Sequence, residues 1–102
     1  MPTSKVKFTS EAKDDFSKLD GRQKLLVTKK LARLEKDPRI GKHLGNKMGM
    51  DLAGYYKLYA DGNRIRVIYR IEADDIAVIA IGPREDMEVY RLASKRIPPG
   101  PS

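Results

Sequence analysis

Residues 76–81, Ile76-Ala77-Val78-Ile79-Ala80-Ile81, run without a polar interruption. A continuous apolar run of this kind fits a central strand buried on both faces. The residues before it supply its neighbours. Arg64-Ile65-Arg66-Val67-Ile68-Tyr69-Arg70-Ile71 alternates, so Ile65, Val67, Tyr69 and Ile71 share one face while Arg64, Arg66 and Arg70 share the other. Residues 55–59 and the turn signal Asp61-Gly62-Asn63 pair with that run as a β-hairpin, and a turn at 72–75 leads on to the central strand.

The first half of the chain predicts a short strand at Val6 to Phe8 and then two helices. Ser10 is the expected N-cap of the first, which runs over residues 11–19 with Ala12, Phe16 and Leu19 as a narrow apolar stripe. Asp20 with Gln23 three residues on resembles a capping box, and Val27, Leu31 and Leu34 repeat the stripe until Pro38 stops the second helix. Residues 41–54, rich in Gly and Met, lack a period and are expected as a loop holding one short strand piece. After Gly82-Pro83, early Glu85, Asp86 and Glu88 and late Arg91, Lys95 and Arg96 suit the dipole of a last helix over 84–97. The expectation is an α+β fold: a compact single domain over residues 1–97, in which an N-terminal strand and a two-helix hairpin pack on an antiparallel sheet, followed by a C-terminal helix. Residues 98–102, Pro-Pro-Gly-Pro-Ser, are expected to be a mobile tail.

With no cysteine among 102 residues, a disulfide framework, a thiolate nucleophile and a Cys-ligated zinc site are excluded. His43 is the only histidine, which rules out a His pair for metal binding or acid–base work, and it is expected on a surface loop. Met48, Met50 and Met87 read as packing or adaptable loop contacts. No run resembles a signal peptide or a bilayer span, so a cytoplasmic home is expected, with no membrane partner. A net charge of +7 points to a polyanionic partner: nucleic acid, ribosome or an acidic protein.

Pairing the hairpin so that its apolar sets coincide separates Tyr56 and Leu58 from Tyr55, Lys57 and Tyr59, and brings Lys57 and Tyr59 to the face of Arg66. Cations that neutralise phosphate beside rings that stack on bases are what a binder of single-stranded RNA uses. Alternating arginines on an exposed sheet face also serve solvation alone, and Tyr55 and Tyr59 also fill cross-strand space.

Val6-Lys7-Phe8, the two helices, Gly54-Tyr55-Tyr56-Lys57-Leu58, Arg66-Val67-Ile68-Tyr69, and Gly82-Pro83-Arg84-Glu85 followed by Val89-Tyr90 form an ordered set that resembles the RelE/ParE superfamily of toxins from type II toxin–antitoxin systems. The likeness covers residues 5–97. It is nearer to RelE-type mRNA interferases than to the gyrase-directed branch, because Arg84 and Tyr90 are both present. The resemblance implies a cofactor-free, metal-free ribonuclease that enters the ribosomal A site and cuts mRNA. Its partners would be the ribosome, mRNA and a cognate acidic antitoxin, with operator DNA reached only through the antitoxin.

In the reaction so implied, the ribose 2′-hydroxyl attacks the adjacent phosphodiester and leaves a 2′,3′-cyclic phosphate and a 5′-hydroxyl. The resemblance assigns Lys57 as base, Arg66 as a bidentate brace on the phosphate, Arg84 as compensation for charge on the leaving oxygen, and Tyr90 as a stacking or orienting ring. A lysine base requires a pKa well below about 10.4. Tyr59, Arg64, Arg70 and Lys47 are the expected RNA-binding residues. RelE-like members often carry a second lysine where this chain has Tyr59, which puts the distribution of the proton-transfer work in question. Two further readings stay open: a ParE-like inhibitor of DNA gyrase on the same scaffold, and a module that binds RNA or an antitoxin without cleaving.

Overall fold

A computed structural model of the protein describes residues 5–47, 50–51, 54–62, 64–72 and 75–83. In chain order the elements are β1 (Lys5–Phe8), α1 (Ser10–Ser17), α2 (Gly21–Lys36), β2 (Lys42–His43), β3 (Asn46–Lys47), β4 (Met50–Asp51), β5 (Tyr55–Ala60), β6 (Ile65–Glu72) and β7 (Asp75–Pro83). The expected last helix and tail lie outside the described residues.

The apolar run is an interior strand, β7, of a sheet whose order is β1-β7-β6-β5-β2. Flanked on both sides, Ile76, Val78 and Ala80 have no exposed surface. The α+β architecture is the expected one, and β5, β6 and β7 form the expected antiparallel set. The sheet as a whole is mixed, because β1 joins it as a strand and pairs in parallel with β7 from Lys5↔Asp75 to Phe8↔Val78. Lys7 Nζ lies 2.8 Å from Asp75 Oδ2 and pins that edge.

Between Ile68↔Ala80 and Tyr69↔Val78 the pairing shifts by one, leaving Ile79 as the extra residue of a β-bulge. The bulge resets the alternation of β7. Ile76 and Val78 join the core under the helices, and Ile81, three residues further on, returns to it. Ile68, Ile79 and Ala80 are buried outside that cluster, so the centre of the sheet is apolar on both sides.

Thr9, not Ser10, caps α1: its Oγ1 accepts from the Ala12 amide at 3.1 Å, and Ser10 is the first helical residue. Thr9 has this role because its own amide still bonds to Val78 as the continuation of β1, so the chain turns into the helix one residue earlier than the polar pattern suggests. Leu19 lies beyond the helix end but still packs on the core, as does Phe16, whose ring meets Phe8 edge-on at 5.6 Å. The expected capping of α2 is present, with Asp20 Oδ1 accepting from the Gln23 amide at 2.7 Å. Val27, Leu31 and Leu34 are its buried stripe.

Residues 41–54 hold more structure than the expected single strand piece. β2 extends the edge of β5, and β3 pairs with β4 in a small ribbon. Leu44 draws this segment inward. It is 2% exposed, and its amide donates to the Tyr55 carbonyl at 2.8 Å.

Tyr69 fixes where that segment starts. Its ring is fully buried and stacks on Tyr56 at 5.4 Å; its hydroxyl donates to the Pro38 carbonyl at 2.9 Å and accepts from the Gly41 amide at 3.0 Å. A Cβ on residue 41 would run into this hydroxyl and come within 2.7 Å of the Lys57 carbonyl, so glycine is required there. Tyr69→Phe leaves the Gly41 amide and the Pro38 carbonyl without their partner, and an expected loss of about 1–3 kcal/mol follows. Burial pushes the Tyr69 phenol up to about 12 from its ordinary 10.0, against the lowering effect of the Gly41 amide. Above pH 10 the unfolded chain therefore releases a proton that the folded one keeps, and stability falls as pH rises towards 12. Urea unfolding at a series of alkaline pH values should show this decline in the wild type and a flatter profile in Tyr69→Phe.

Candidate functional site

β5 and β6 align as the apolar pattern requires: Leu58 faces Val67 and Tyr56 faces Tyr69 beneath the helices. The opposite face therefore receives Lys57, Tyr59, Arg66 and Arg70. Tyr59 pairs across the strands with Arg66, and Lys57 with Ile68, whose side chain is fully buried at the floor of the cluster.

Lys57 Nζ donates to Tyr59 Oη at 3.0 Å and lies 5.1 Å from the Tyr59 ring centroid. Arg66 Cζ stands 5.6 Å from the same ring. The Lys57 hydrogen bond, aided by the charge of Arg66, holds the Tyr59 phenol below its usual range although partial burial opposes this. Two cations and an aromatic hydroxyl thus occupy one patch. Such a patch can hold a phosphodiester, stack a base and stabilise an anion in or beside it.

Arg70 lies further along the same face but is already engaged. Its Nε donates to Glu72 Oε1 at 2.8 Å and its Nη1 to Tyr55 Oη at 3.3 Å, and the Glu72 bond raises its pKa. Arg64 does not share that face. The hairpin turn passes through Asp61 (φ 51°) and Gly62 (φ 58°), both left-handed, and the Arg64 amide bonds back to the Asp61 carbonyl at 3.1 Å. Regular pairing starts only at Ala60↔Ile65, so alternation cannot be extended back to residue 64. Lys47 lies in β3, on the two-stranded ribbon; Arg84 and Tyr90 fall outside the described residues. His43 is exposed but lies on β2, where its ring meets Tyr56 edge-on at 5.2 Å and its Nε2 accepts from the Gly54 amide. Among the described residues no three of His, Asp and Glu gather as metal ligands.

Arg64 instead borders a groove of about 680 Å³ with Arg22, Lys29, Lys30 and Arg33 of α2 over Leu26. The signal for it was in the sequence: positions 22, 26, 29, 30 and 33 fall on one helical face, and α2 carries Glu35 as its only carboxylate. Reading α2 for its apolar stripe alone passes over its charged side. Asp61 closes one end of the groove and accepts from Arg22 Nη2 at 2.8 Å.

The fold is that of a family of small toxins. A sequence model of the ParE toxin of the type II toxin–antitoxin system parDE matches residues 6–88. A RelE-like toxin protein of Escherichia coli is 31% identical over 94 residues, covering 90% of this chain and 95% of that one. The chain belongs to the RelE/ParE family of toxins of type II toxin–antitoxin systems. Among solved structures, a mutant of the E. coli toxin RelE in the free state matches with a TM-score of 0.75 and 28% identity over 95% of this chain and 99% of that one. A chain of the RelBE2 toxin–antitoxin complex from Mycobacterium tuberculosis matches with a TM-score of 0.68 and 29% identity, over 84% of this chain and 97% of that one. The chromosomal ParDE system of P. aeruginosa shares the fold, with a TM-score of 0.60 at 14% identity over 81% of this chain and 98% of that one.

The Arg22 hydrogen bond holds the Asp61 carboxyl below its ordinary 3.8. A depressed carboxylate contributes stability above the unfolded value, and that contribution is lost as pH falls through the folded one. Asp61→Asn keeps a residue tolerant of the left-handed turn while removing the charge. It should destabilise the fold at pH 7, and the gap to the wild type should close as the solution is acidified below about pH 4, measured by thermal unfolding. A gap that persists undiminished in acid would show that the charge is not responsible.

Proposed function

We propose that the protein is a ribosome-dependent endoribonuclease that cuts mRNA in the A site by attack of the ribose 2′-hydroxyl on the neighbouring phosphodiester, without a metal ion. The observation that carries this reading is the Lys57–Tyr59–Arg66 cluster: one phenol hydrogen-bonded by the Lys57 ammonium, with the Arg66 guanidinium beside its ring, on one face of the sheet. Arg66 would brace the phosphate with its planar donors while negative charge builds on the non-bridging oxygens. Arg84 would offset charge on the departing oxygen, and Tyr90 would orient or stack on the nucleotide. The cations along α2 extend positive potential well beyond the cluster, which suits docking on a polyanion as large as a ribosome in the cytoplasm.

A cognate antitoxin is the expected inhibitor. Several of the similar structures are RelE toxins bound to RelB. For this chain an acidic segment lying over the basic sheet face would cover the same cations that RNA needs, so association with it should slow as salt rises.

Gyrase inhibition is the second reading, favoured by the match to the ParE toxin model. A translating extract analysed by primer extension separates the two, because a ribosome-dependent nuclease gives codon-positioned cuts, whereas a gyrase poison gives linearised plasmid and intact message. With the wild type active, Arg66→Ala should lower single-turnover cleavage on programmed ribosomes by about 10²-fold or more. Undiminished cleavage by Arg66→Ala would remove it from the reaction.

A further inference from the structure

The resemblance assigns the proton-abstracting role to Lys57, but Tyr59 Oη lies 3.0 Å from Lys57 Nζ and is a second candidate for it. A charged ammonium has donors and no lone pair, and Lys57 Nζ points one of those donors at Tyr59 Oη. We propose that Tyr59 is the general base of the cleavage reaction, acting as a phenolate held between the Lys57 ammonium and the Arg66 guanidinium; this rests on the ribonuclease reading above.

Three features of the patch support it. Alternation along β5 brings residues 57 and 59 to one face, so the Lys57–Tyr59 bond is built into the strand and needs no rearrangement. Cross-strand pairing puts Arg66 directly opposite Tyr59, so a second cation faces the ring. Phenols and alkyl ammonium groups both ordinarily lose protons near pH 10, which makes the assignment a question of which ionised pair the surroundings prefer. Proton loss from Tyr59 leaves an anion flanked by two cations. Loss from Lys57 instead leaves two neutral groups beside Arg66, and the attraction between phenolate and guanidinium is forgone. The lowered phenol pKa, caused first by the Lys57 bond, agrees in direction.

The step balances as follows. The Tyr59 oxygen takes the proton of the 2′-hydroxyl, and the O2′ electron pair forms the new O2′–P bond. The P–O5′ bond breaks with its electron pair leaving on O5′, which takes a proton from water. The products are a 2′,3′-cyclic phosphate and a 5′-hydroxyl, and Tyr59 returns to the phenolate by releasing its proton to solvent. Lys57 acts as a positioning residue that keeps the phenolate formed and aimed.

The test uses the full-length protein. Tyrosinate absorbance is followed as pH is raised, and single-turnover mRNA cleavage on programmed ribosomes is measured over the same pH range, with ribosome binding measured separately. A phenol that ionises below the usual range should appear in the wild type and be missing from Tyr59→Phe; its absence from the wild type would overturn the proposal whether or not the protein cleaves RNA. Tyr59→Phe should cleave about 10²-fold or more slowly with binding little changed. Lys57→Met should move both the phenol titration and the acidic limb of the rate profile to higher pH, and Lys57→Arg should bring them back. Replacing Tyr59 by 3,5-difluorotyrosine should shift that limb down by the amount fluorination lowers the phenol pKa, an effect that a merely structural tyrosine would not produce. Cleavage by Tyr59→Phe at the wild-type rate would overturn the base assignment while leaving the ribonuclease reading intact. Absence of cleavage by the wild type at every pH would overturn both.

Discussion

A single buried hydroxyl sets the geometry on which the rest of this structure depends. Tyr69 Oη sits inside the fold between the Pro38 carbonyl and the Gly41 amide, and so ties the end of α2 to the middle of the sheet. That tie brings residue 41 against the Lys57 carbonyl, and β2 then follows along the edge of β5 with Lys42 opposite Lys57. The strand carrying the cationic cluster is thus held on one side by β6 and on the other by a segment whose start is fixed by the core. A hydroxyl in an apolar interior is costly unless both its donor and its acceptor capacity are used, and here both are.

The site itself follows from a periodicity of two. Once Leu58 and Tyr56 are committed to the helices, Lys57 and Tyr59 must emerge together on the other side, and the paired strand must present Arg66 beside them. The cluster is therefore a by-product of core packing on the opposite face. This explains how a phenol and an ammonium two residues apart come to share a hydrogen bond, since along one strand i and i+2 are successive positions on the same face.

How much of this could be read from the sequence varies with the physics involved. The unbroken run from Ile76 to Ile81 and the alternation of Ile65, Val67 and Tyr69 identified an interior strand of the sheet and the face of Lys57, Tyr59 and Arg66, because burial imposes a pattern that composition must obey. Arg64 departs from the face that alternation predicts because alternation holds only where strands pair, and left-handed Asp61 and Gly62 interrupt it. The parallel pairing of β1 and the bulge at Ile79 depend on contacts between distant residues that carry no local signal. Thr9 and Ser10 are both good capping residues, and only the hydrogen bond of Thr9 to Val78 decides between them. The basic face of α2 was legible in its spacing of lysines and arginines, but a search tuned to apolar residues does not see it.

The pairing of β1 with β7 also bears on how the molecule is made. Lys5 finds its partner at Asp75, so β1 can enter the sheet only after β7, some seventy residues later, exists. Contacts between residues so far apart raise contact order, and domains rich in them fold slowly relative to helical bundles of the same size. During synthesis the hairpin of β5 and β6 can close locally, while β1, already made, stays unpaired until β7 emerges. Assembly of the sheet is accordingly a late, cooperative event, and a nascent chain stalled before residue 75 would hold the cationic strands without the edge that completes them.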